Sequence, residues 1–198
     1  MVTLATDLPD TGRLAYVGID NRAAGETAAY LLGKWLSTDH ARILVSVSSS
    51  RFRGEEDREI GFRRGLREHH PHLSIVELND GHGIDSATGR LVAEALRSYP
   101  DIIGVYSIGG GNLAVVDAFV AAGRTCRAFV GHDLDADNVA LLRGGRISAV
   151  LHHDLAADMR NGCLVIMRAN GLLPKLAMSS VSNIQIATPF SLPVAAGL

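Results

Sequence analysis

The stretch "YSIGGGNLAVVDAF", Tyr106–Phe119, places three consecutive glycines and an asparagine between an apolar run and a helix-like segment. The residues that lead into it, DIIGVYSI, have the Val and Ile content of a buried strand. A strand, a glycine-rich turn and a helix in succession are typical of one unit of an α/β fold. Whether such a turn holds a phosphate or a neutral ligand depends on the side chains at the ends of the other strands.

The same alternation of short apolar runs and amphipathic stretches continues along the whole chain. The apolar runs are nearly continuous, as expected for parallel strands that are covered on both faces. The predicted strands are VTLAT, LAYVGI, RILVSV, LSIVEL, DIIGVYSI, RAFVG, ISAVL and NIQIA. Strands that alternate with helices in this way predict an α/β fold with a doubly wound parallel sheet.

The helix-like stretches carry apolar residues at helical spacing. Phe62 and Leu66 lie four residues apart, and Gly61 and Gly65 beside them would let that helix pack closely against a neighbour. The stripe of the first helix is Ala24, Ala28, Leu31 and Trp35, and that of the last long helix is Leu155, Met159, Cys163 and Ile166 or Met167.

Length and composition exclude several classes of protein. A chain of 198 residues with 47% hydrophobic content has enough material for one domain or two lobes. The formal net charge of −2 provides no global positive field for nucleic acid. No apolar run approaches the roughly eighteen residues of a membrane span.

The cysteines and the N-terminus bear on location. Cys126 and Cys163 are too few for a disulfide framework, and we interpret them as small buried hydrophobes. The opening MVTLATDLPDTGRL lacks the basic start and apolar core of a secretory signal. These features predict a cytoplasmic location, although a processed secreted chain would share them.

Ligands of open α/β sheets bind beyond the carboxyl ends of the strands, so the residues just after each apolar run are informative. They mix carboxylate, amide, guanidinium and imidazole groups, which suits a polyhydroxylated ligand whose hydroxyls both donate and accept. A phosphate site would instead need backbone N–H groups and Lys. The residues concerned are Asp20 and Asn21, Arg58, the GGGN turn with Asn112, His132 and Asp133, and His152, His153 and Asp154.

Each of these positions also has a simpler explanation. Asp20 could be present simply to cap the next helix, and Asp133 could be a turn residue. Arg58 lies among acidic residues and could be a solvated charge on a helix surface. The pair His152 and His153 could form a satisfied strand end. The pattern as a whole, rather than any one residue, favours a binding site.

The GGGN turn lacks the Lys-Ser/Thr of a P-loop and the spacing of G-x-G-x-x-G, so it is a weak phosphate motif. Its glycines would permit close approach of the backbone or positive φ beside a ligand, with Asn112 free to donate and accept. In the alternative, the turn is merely tight and Asn112 caps the next helix.

Several segments resemble a known family in their order and spacing. They are YVGIDNRAAGETAAYLLGKWL, EEDREIGFRRGL, YSIGGGNLAVVDAF, FVGHDLDADNVALLRGGRISAVLHHD and SNIQIATPFSLP. Together they resemble the effector-binding core of LacI-type bacterial transcriptional regulators, which is itself similar to periplasmic sugar-binding proteins of the ribose-binding type. The resemblance covers nearly the whole chain, and the GGGN variant is similar to the branch closest to the sugar transporters.

The resemblance implies two α/β lobes joined by a hinge, with a small ligand closed between them. It gives Asp20 the role of a hydroxyl acceptor, it makes Arg58 a clamp for hydroxyls or a carboxylate, and it assigns the family's Asp after the next strand to Asp133. His153 stands where the family has Gln or an equivalent, which implies different ligand chemistry. Asn112 comes after two glycines that replace the family's Asn-Asp, so its transfer is less direct.

The resemblance also implies a fragment. Full-length regulators begin with a helix-turn-helix headpiece and the first strands of the N-terminal lobe, and the sequence shows neither. We therefore expect residues 1–19 to be a remnant of the N-terminal lobe, 20–152 the C-terminal effector-binding lobe, and 153–198 a segment that returns to the N-terminal lobe. Such a chain would not bind operator DNA by itself, and its exposed lobe surface would favour a homodimer.

The leading hypothesis is a ligand-sensing domain of a LacI-type regulator. It would bind a sugar, polyol or sugar acid and relay binding to a DNA-binding headpiece. The alternative is the solute-binding protein of a sugar ABC transporter. A helix-turn-helix encoded upstream would favour the regulator, and a signal peptide would favour the transporter.

Enzymatic and metal-dependent functions have weaker support. The serines at 48–50 with Asp133 and His153 could suggest a hydrolase, but no G-x-S-x-G elbow accompanies them. His69, His70 and His72 surround a helix end, where a metal site is the less favoured explanation. We therefore expect neither an enzyme nor a bound metal or cofactor.

Overall fold

The computed structural model describes residues 1–36, 41–49, 52–79, 81, 84–174 and 181–192. The strands are β1 (Val2–Leu4), β2 (Ala15–Ile19), β3 (Arg42–Ser46), β4 (Ser74–Leu78), β5 (Ile102–Ser107), β6 (Ala128–His132), β7 (Ala149–His152), β8 (Val181–Ser182) and β9 (Gln185–Ala187). The helices are α1 (Asn21–Trp35), α2 (Arg53–His69), α3 (Asp85–Ser98), α4 (Asn112–Ala121), α5 (Ala136–Arg143) and α6 (Leu155–Ala169). Each of the eight predicted strand segments contains a strand, and β8 is an addition to them.

The strands form two sheets. The smaller sheet has the order β1-β2-β8, and the larger has the order β4-β3-β5-β6-β7-β9. All neighbouring strands are parallel except β9, which runs antiparallel to β7. The predicted α/β fold with a doubly wound parallel sheet is therefore confirmed, with one antiparallel edge strand.

The chain passes between the two sheets three times. After β2 of the smaller sheet it enters α1, which packs against α2 and β6 of the larger unit. After β7 it enters α6, which packs on β1 and β2 of the smaller sheet. The last passage joins β8 to β9. The chain beyond residue 153 thus contributes a strand to each sheet.

Helices cover both faces of the larger sheet, and each face has its own core. On one face, α1 and α2 pack Leu32 and Phe62 against Tyr106, whose ring centroid lies 4.4 Å from that of Phe62. On the other face, residues of α3, α4 and α5 such as Val92 and Phe119 surround the inner strands. Within the described ranges, no helix is both long and apolar enough to cross a membrane.

Glycines bring α1 and α2 into direct backbone contact. A Cβ atom on Gly25 would lie 2.0 Å from the carbonyl oxygen of Arg58, and one on Gly61 would lie 2.1 Å from that of Arg22. Both distances are far below van der Waals contact, so no side chain fits at either position. The close packing predicted for Gly61 is confirmed.

The predicted apolar stripe is correct for the first half of α1 and wrong in α6. In α1, Ala24 and Ala28 are fully buried, but the stripe continues through Leu32 and leaves Trp35 44% exposed. In α6 the buried residues are Asp158 and Gly162. The predicted α6 stripe faces outward instead, because the opposite side of the helix packs on β1 and β2: Leu155, Met159, Cys163, Ile166 and Met167 are all exposed.

Candidate ligand-binding site

A cavity of about 270 Å³ lies at the carboxyl ends of the strands. It combines residues that come after β1, β5, β6 and β7 with residues from the start of α2. Three of the predicted site residues, Arg58, Asp133 and His153, line it together. A second cavity of about 880 Å³ shares Asp133 and His153 with the first. The remaining residues around the first cavity are Ala5, Thr6, Phe52, Gly54, Glu55, Ile108, Gly109, Gly110, His132 and Asp135.

Arg58 is a buried cation, not a solvated surface charge. Its Nε donates to Oδ1 of Asn21 at 2.8 Å, and its Nη1 donates to the carbonyl oxygen of Ile108 at 3.3 Å. The same Nη1 lies 3.9 Å from Oδ2 of Asp133. A guanidinium has five N–H donors in a rigid fork. The anchoring bonds therefore fix its orientation while further donors are available to a ligand.

Asp133 presents an accessible carboxylate from a turn. Its backbone has φ +65°, in the left-handed region, and its side chain is 61% exposed. Asn138 stabilises the turn, because its Nδ2 donates to the carbonyl oxygens of His132 at 2.9 Å and Asp133 at 2.7 Å. Asp133 is thus a turn residue, as the simpler explanation proposed, and it also lies at the cavity.

Asn112 supports that turn indirectly, through Asn138. Its Nδ2 donates to Oδ1 of Asn138 at 2.7 Å, while its own Oδ1 is buried without a partner in the described part of the chain. The capping alternative for Asn112 is wrong, because Gly111 occupies the N-cap position and Asn112 is the first residue of α4. A direct ligand contact by Asn112 stays a prediction.

The GGGN turn requires its glycines, whereas a close approach of its backbone to a ligand stays a prediction. Gly110 and Gly111 have φ of +89° and +74°, a conformation that residues with a side chain rarely adopt. A Cβ on Gly109 would lie 2.5 Å from the amide nitrogen of Ser48. Positive φ and close backbone approach therefore both explain this turn, and Gly109 and Gly110 line the cavity.

Asp20 caps a helix, as its simpler explanation proposed. Its Oδ1 accepts from the backbone N–H groups of Arg22 at 2.9 Å and Ala23 at 3.0 Å. A ligand contact by Asp20 is a prediction that the geometry leaves open. The neighbouring Asn21 does not share the cap. It accepts from Arg58, and its Nδ2 donates to the Tyr16 hydroxyl at 3.3 Å.

His153 is tied to two residues that the sequence did not single out. Its Nδ1 bonds Oδ2 of Asp158, a fully buried residue of α6. The other oxygen of that carboxylate accepts from the Ser182 hydroxyl on β8. His153 is therefore satisfied on one side of its ring, and it also lines both cavities.

A buried tyrosine–histidine pair lies beneath Arg58. The Tyr106 hydroxyl and Nε2 of His132 are 2.8 Å apart. Burial lowers the pKa of His132 well below its ordinary value of 6.5, and the charge of Arg58 lowers that pKa further. Burial also raises the pKa of the Tyr106 hydroxyl. Both groups are consequently neutral near pH 7.

The serines near the site bond carboxylates. Ser48 donates to Glu55, and Ser182 donates to Asp158, so in the described residues neither hydroxyl is paired with a histidine base. Ser50 lies outside the described residues. Among the side chains that the structure describes, no three His, Cys, Asp or Glu groups come close enough together to hold a metal ion.

Another cavity, of about 630 Å³, runs along the edge strand β4 and the helix α3. Its arginine, Arg42, is already paired with Asp101 and lies over the ring of Tyr99. None of the predicted site residues lines it. We favour the cavity at the strand ends, because ligands of parallel sheets bind at that edge and because its charged groups converge there.

Comparison with known proteins assigns the chain to a family. The family described as "Periplasmic binding protein domain" matches residues 1–167. No curated protein sequence matches the chain.

Several solved structures share the fold. A glucose-galactose binding protein, GanP of Geobacillus stearothermophilus, is similar with a TM-score of 0.85 and 20% identity over 98% of this chain and 69% of its own. A sugar-binding protein of a Bacillus halodurans sugar ABC transporter gives 0.82 and 22% over 96% and 69%. A putative LacI transcriptional regulator of Bacteroides fragilis gives 0.79 and 19% over 96% and 66%. Because the family match spans most of the sequence, this chain belongs to the periplasmic binding protein domain family.

Proposed function

We propose that this chain binds a small sugar, or a polyol or sugar acid of similar size, in the cavity at the strand ends. The observation that carries the proposal is the convergence of Arg58, Asp133 and His153 on one cavity. A guanidinium, a carboxylate and an imidazole together offer donors and acceptors in one cavity, which matches the hydroxyls of a sugar. The sugar ligands of GanP and of the Bacillus halodurans protein support this ligand class.

The three residues would have different roles. Arg58, held by Asn21 and Ile108, would donate to ligand oxygens. Asp133, with its exposed carboxylate, would accept from ligand hydroxyls. His153 would contribute its remaining ring nitrogen. In this proposal Asp20 would contact the ligand as well as cap α1. Asn112 would contribute to the site by supporting the turn that carries Asp133.

In finer terms, we propose that the chain is the ligand-sensing part of a LacI-type regulator in the cytoplasm. Residues 1–19 would then belong to an N-terminal lobe, 20–152 to the C-terminal lobe, and 153–198 to a returning segment. Operator DNA would be bound only through a headpiece outside this sequence, and the whole regulator would be a homodimer. The support is the order of the sequence motifs and the likeness in fold to the putative LacI regulator of Bacteroides fragilis.

The second candidate is the solute-binding protein of a sugar transporter. It is favoured by the family that matches the chain and by the likeness in fold to the Bacillus halodurans transporter protein. The coding sequence upstream of residue 1 separates the two candidates. A helix-turn-helix segment would support the regulator, whereas a signal peptide would support the transporter and overturn the regulator.

A thermal-shift screen tests the ligand class. The panel would contain D-glucose, D-galactose, L-arabinose, D-fructose, glucitol and gluconate. A ligand that binds only the folded state at a hundred times its Kd stabilises that state by about 2.7 kcal/mol, so it raises the Tm by several degrees. The Arg58→Gln and Asp133→Asn variants should lose this shift, because each removes a charged ligand contact.

The matched control is Asp117→Asn, which changes an exposed carboxylate on α4 outside the cavity. It should keep the full shift. The proposed function is overturned if no compound of the panel raises the Tm of the wild-type chain. It is also overturned if the Arg58 and Asp133 variants respond as strongly as the control.

A further inference from the structure

The carboxylate of Asp158 uses both oxygens inside the protein. Its residue is 0% exposed, its Oδ2 bonds Nδ1 of His153, and its Oδ1 bonds the Ser182 hydroxyl. The three residues come from three parts of the fold: the end of β7 in the larger sheet, helix α6, and β8 in the smaller sheet. Two directed hydrogen bonds hold this buried carboxylate in one orientation, so it can orient the imidazole beside it.

The chemistry of this group determines where the imidazole proton lies. An ionised carboxylate only accepts hydrogen bonds, so the ring nitrogen that faces Asp158 must carry a hydrogen. The Ser182 hydroxyl donates to the second oxygen and thereby keeps the carboxylate from turning. In a neutral imidazole only one nitrogen carries hydrogen, and the other has a free lone pair. Nε2 of His153 is then the acceptor.

We propose that Asp158, supported by Ser182, is a positioning residue that fixes His153 as the Nδ1–H tautomer and makes its Nε2 a hydrogen-bond acceptor for the ligand. The second part of this statement rests on the proposed function. With Asp133, the site then has two acceptors in the same cavity as the donors of Arg58. Ligand hydroxyls are favoured at the His153 end, and a ligand carboxylate is disfavoured there. The preferred ligand class is therefore a neutral sugar or polyol, not a sugar acid.

The first experiment examines the tautomer without any sugar. Long-range ¹H–¹⁵N NMR of the labelled chain at about pH 8, above the ordinary pKa of imidazole, distinguishes a protonated ring nitrogen from an unprotonated one. The His153 signals are assigned by their loss in His153→Gln. We expect a protonated Nδ1 and an unprotonated Nε2 in the wild type, and a change toward protonated Nε2 in Asp158→Ala.

Asp158→Asn is the conservative variant. Its amide oxygen still accepts from Nδ1 of His153 while its NH₂ group faces the oxygen of Ser182, so the wild-type tautomer should be retained. A purely structural role of Asp158 would not produce this rescue. A wild-type His153 that is protonated at Nε2, or an unchanged tautomer in Asp158→Ala, overturns the proposal.

The second experiment measures the coupling between the two residues. Isothermal titration with the neutral sugars of the panel gives the Kd for His153→Ala, Asp158→Ala and the double variant. We expect each single change to weaken binding about tenfold, and the double variant to bind no more weakly than His153→Ala alone. Gluconate should bind more weakly than glucitol to the wild type. Additive losses in the double variant, or stronger binding of gluconate, contradict the proposal.

Arg160→Ala is the control on the same helix. Arg160 is exposed on α6, two positions after Asp158, and it lines neither cavity. Its loss should leave the Kd within about twofold of the wild-type value, since alanine favours the helix and the lining of the cavity is unchanged. A loss equal to that of Asp158→Ala would assign the effect to α6 as a whole and contradict the proposal. If no sugar binds to any variant, the proposed function fails, and the NMR measurement alone still decides the role of Asp158.

Discussion

Helices α1 and α6 are matched in several respects but differ in how they are packed. Each has 15 residues, and an aspartate at the end of a strand caps each of them, Asp20 before α1 and Asp154 before α6. Each carries the chain from one sheet to the other. Yet α1 buries seven of its residues and α6 buries two, so the two helices contribute very differently to the cores.

The difference shows what helical periodicity can and cannot reveal. In α1 the small residues face α2, and Gly25 allows contact with the backbone at Arg58. In α6 the buried residues are Asp158 and Gly162, and Asp158 bonds Ser182 of the smaller sheet, while Leu155 and the rest of the apolar stripe face outward. A stripe of apolar residues shows which side of a helix is hydrophobic. It does not show which element, if any, covers that side.

The largest expected effect is the difference in stability between a glycine substitution in the contact of α1 with α2 and one in α6. Gly61→Ala places a Cβ atom 2.1 Å from the backbone oxygen of Arg22, so α1 and α2 must move apart. We expect the free energy of unfolding to fall by about 3 kcal/mol, as measured by urea denaturation. Gly162→Ala on α6 meets no atom within 4 Å outside its own helix and should be neutral or stabilising by up to about 1 kcal/mol.

Equal losses at the two glycines would break the comparison. If Gly61→Ala proved as harmless as Gly162→Ala, α1 and α2 would not be in direct backbone contact. If Gly162→Ala were as damaging as Gly61→Ala, α6 would be packed as tightly as α1.

Lowering the pH should reduce the free energy of unfolding through the buried His132. The pKa of His132 is depressed in the folded state, mainly by burial, so the folded state binds fewer protons than the unfolded state below the ordinary value of 6.5. Stability is therefore complete above that value and is lost as the pH falls below it, by up to about 1.4 kcal/mol per pH unit. Urea denaturation at several pH values between about 7.5 and 5 should show this slope.

His132→Gln retains a polar partner for Tyr106 but has no group that titrates in this range. His70 and His152, whose pKa values burial also lowers, remain in both proteins. Their contributions therefore cancel in the comparison. A slope as steep in the variant as in the wild type would show that the acid sensitivity arises elsewhere.

The smallest expected effect compares the two caps. Asp20→Ala removes two hydrogen bonds at the start of α1 and should lower the global free energy of unfolding by about 1 kcal/mol. Asp154→Ala removes one bond from a helix that buries little, so it should mainly accelerate hydrogen exchange in the first turn of α6. A global loss from Asp154→Ala as large as that from Asp20→Ala would show that α6 unfolds together with the rest.

The fold could be predicted because its strands are dense in Val and Ile and are separated by helices of ordinary length. β8 escaped prediction because two residues are too few to form a pattern. The face of α1 was predicted through Ala28, but at its end burial favours Leu32 and not Trp35. The choice between these two depends on how the helix lies against α2, which the periodicity of one segment does not contain.

The rule that ligands bind at strand ends predicted Arg58, Asp133 and His153 at one cavity, and the structure places all three there. It did not predict the pairings that hold them in place. Asn112 and Asn138 are 26 positions apart, and Asp158 and Ser182 are 24 apart. Such pairs meet only because of the order in which the strands are arranged, and no local pattern in the sequence marks them.

The three passages between the sheets lie next to one another. Ile19, at the end of β2, pairs with Ser182 of β8, and His152, at the end of β7, pairs with Gln185 of β9. If one sheet turns relative to the other, we expect this line of adjacent strand ends to be the axis, and His153, next to His152, lies on it. Ala5, just after β1, and Gly110, just after β5, line the same cavity from different sheets, so the gap between them would report such a rotation.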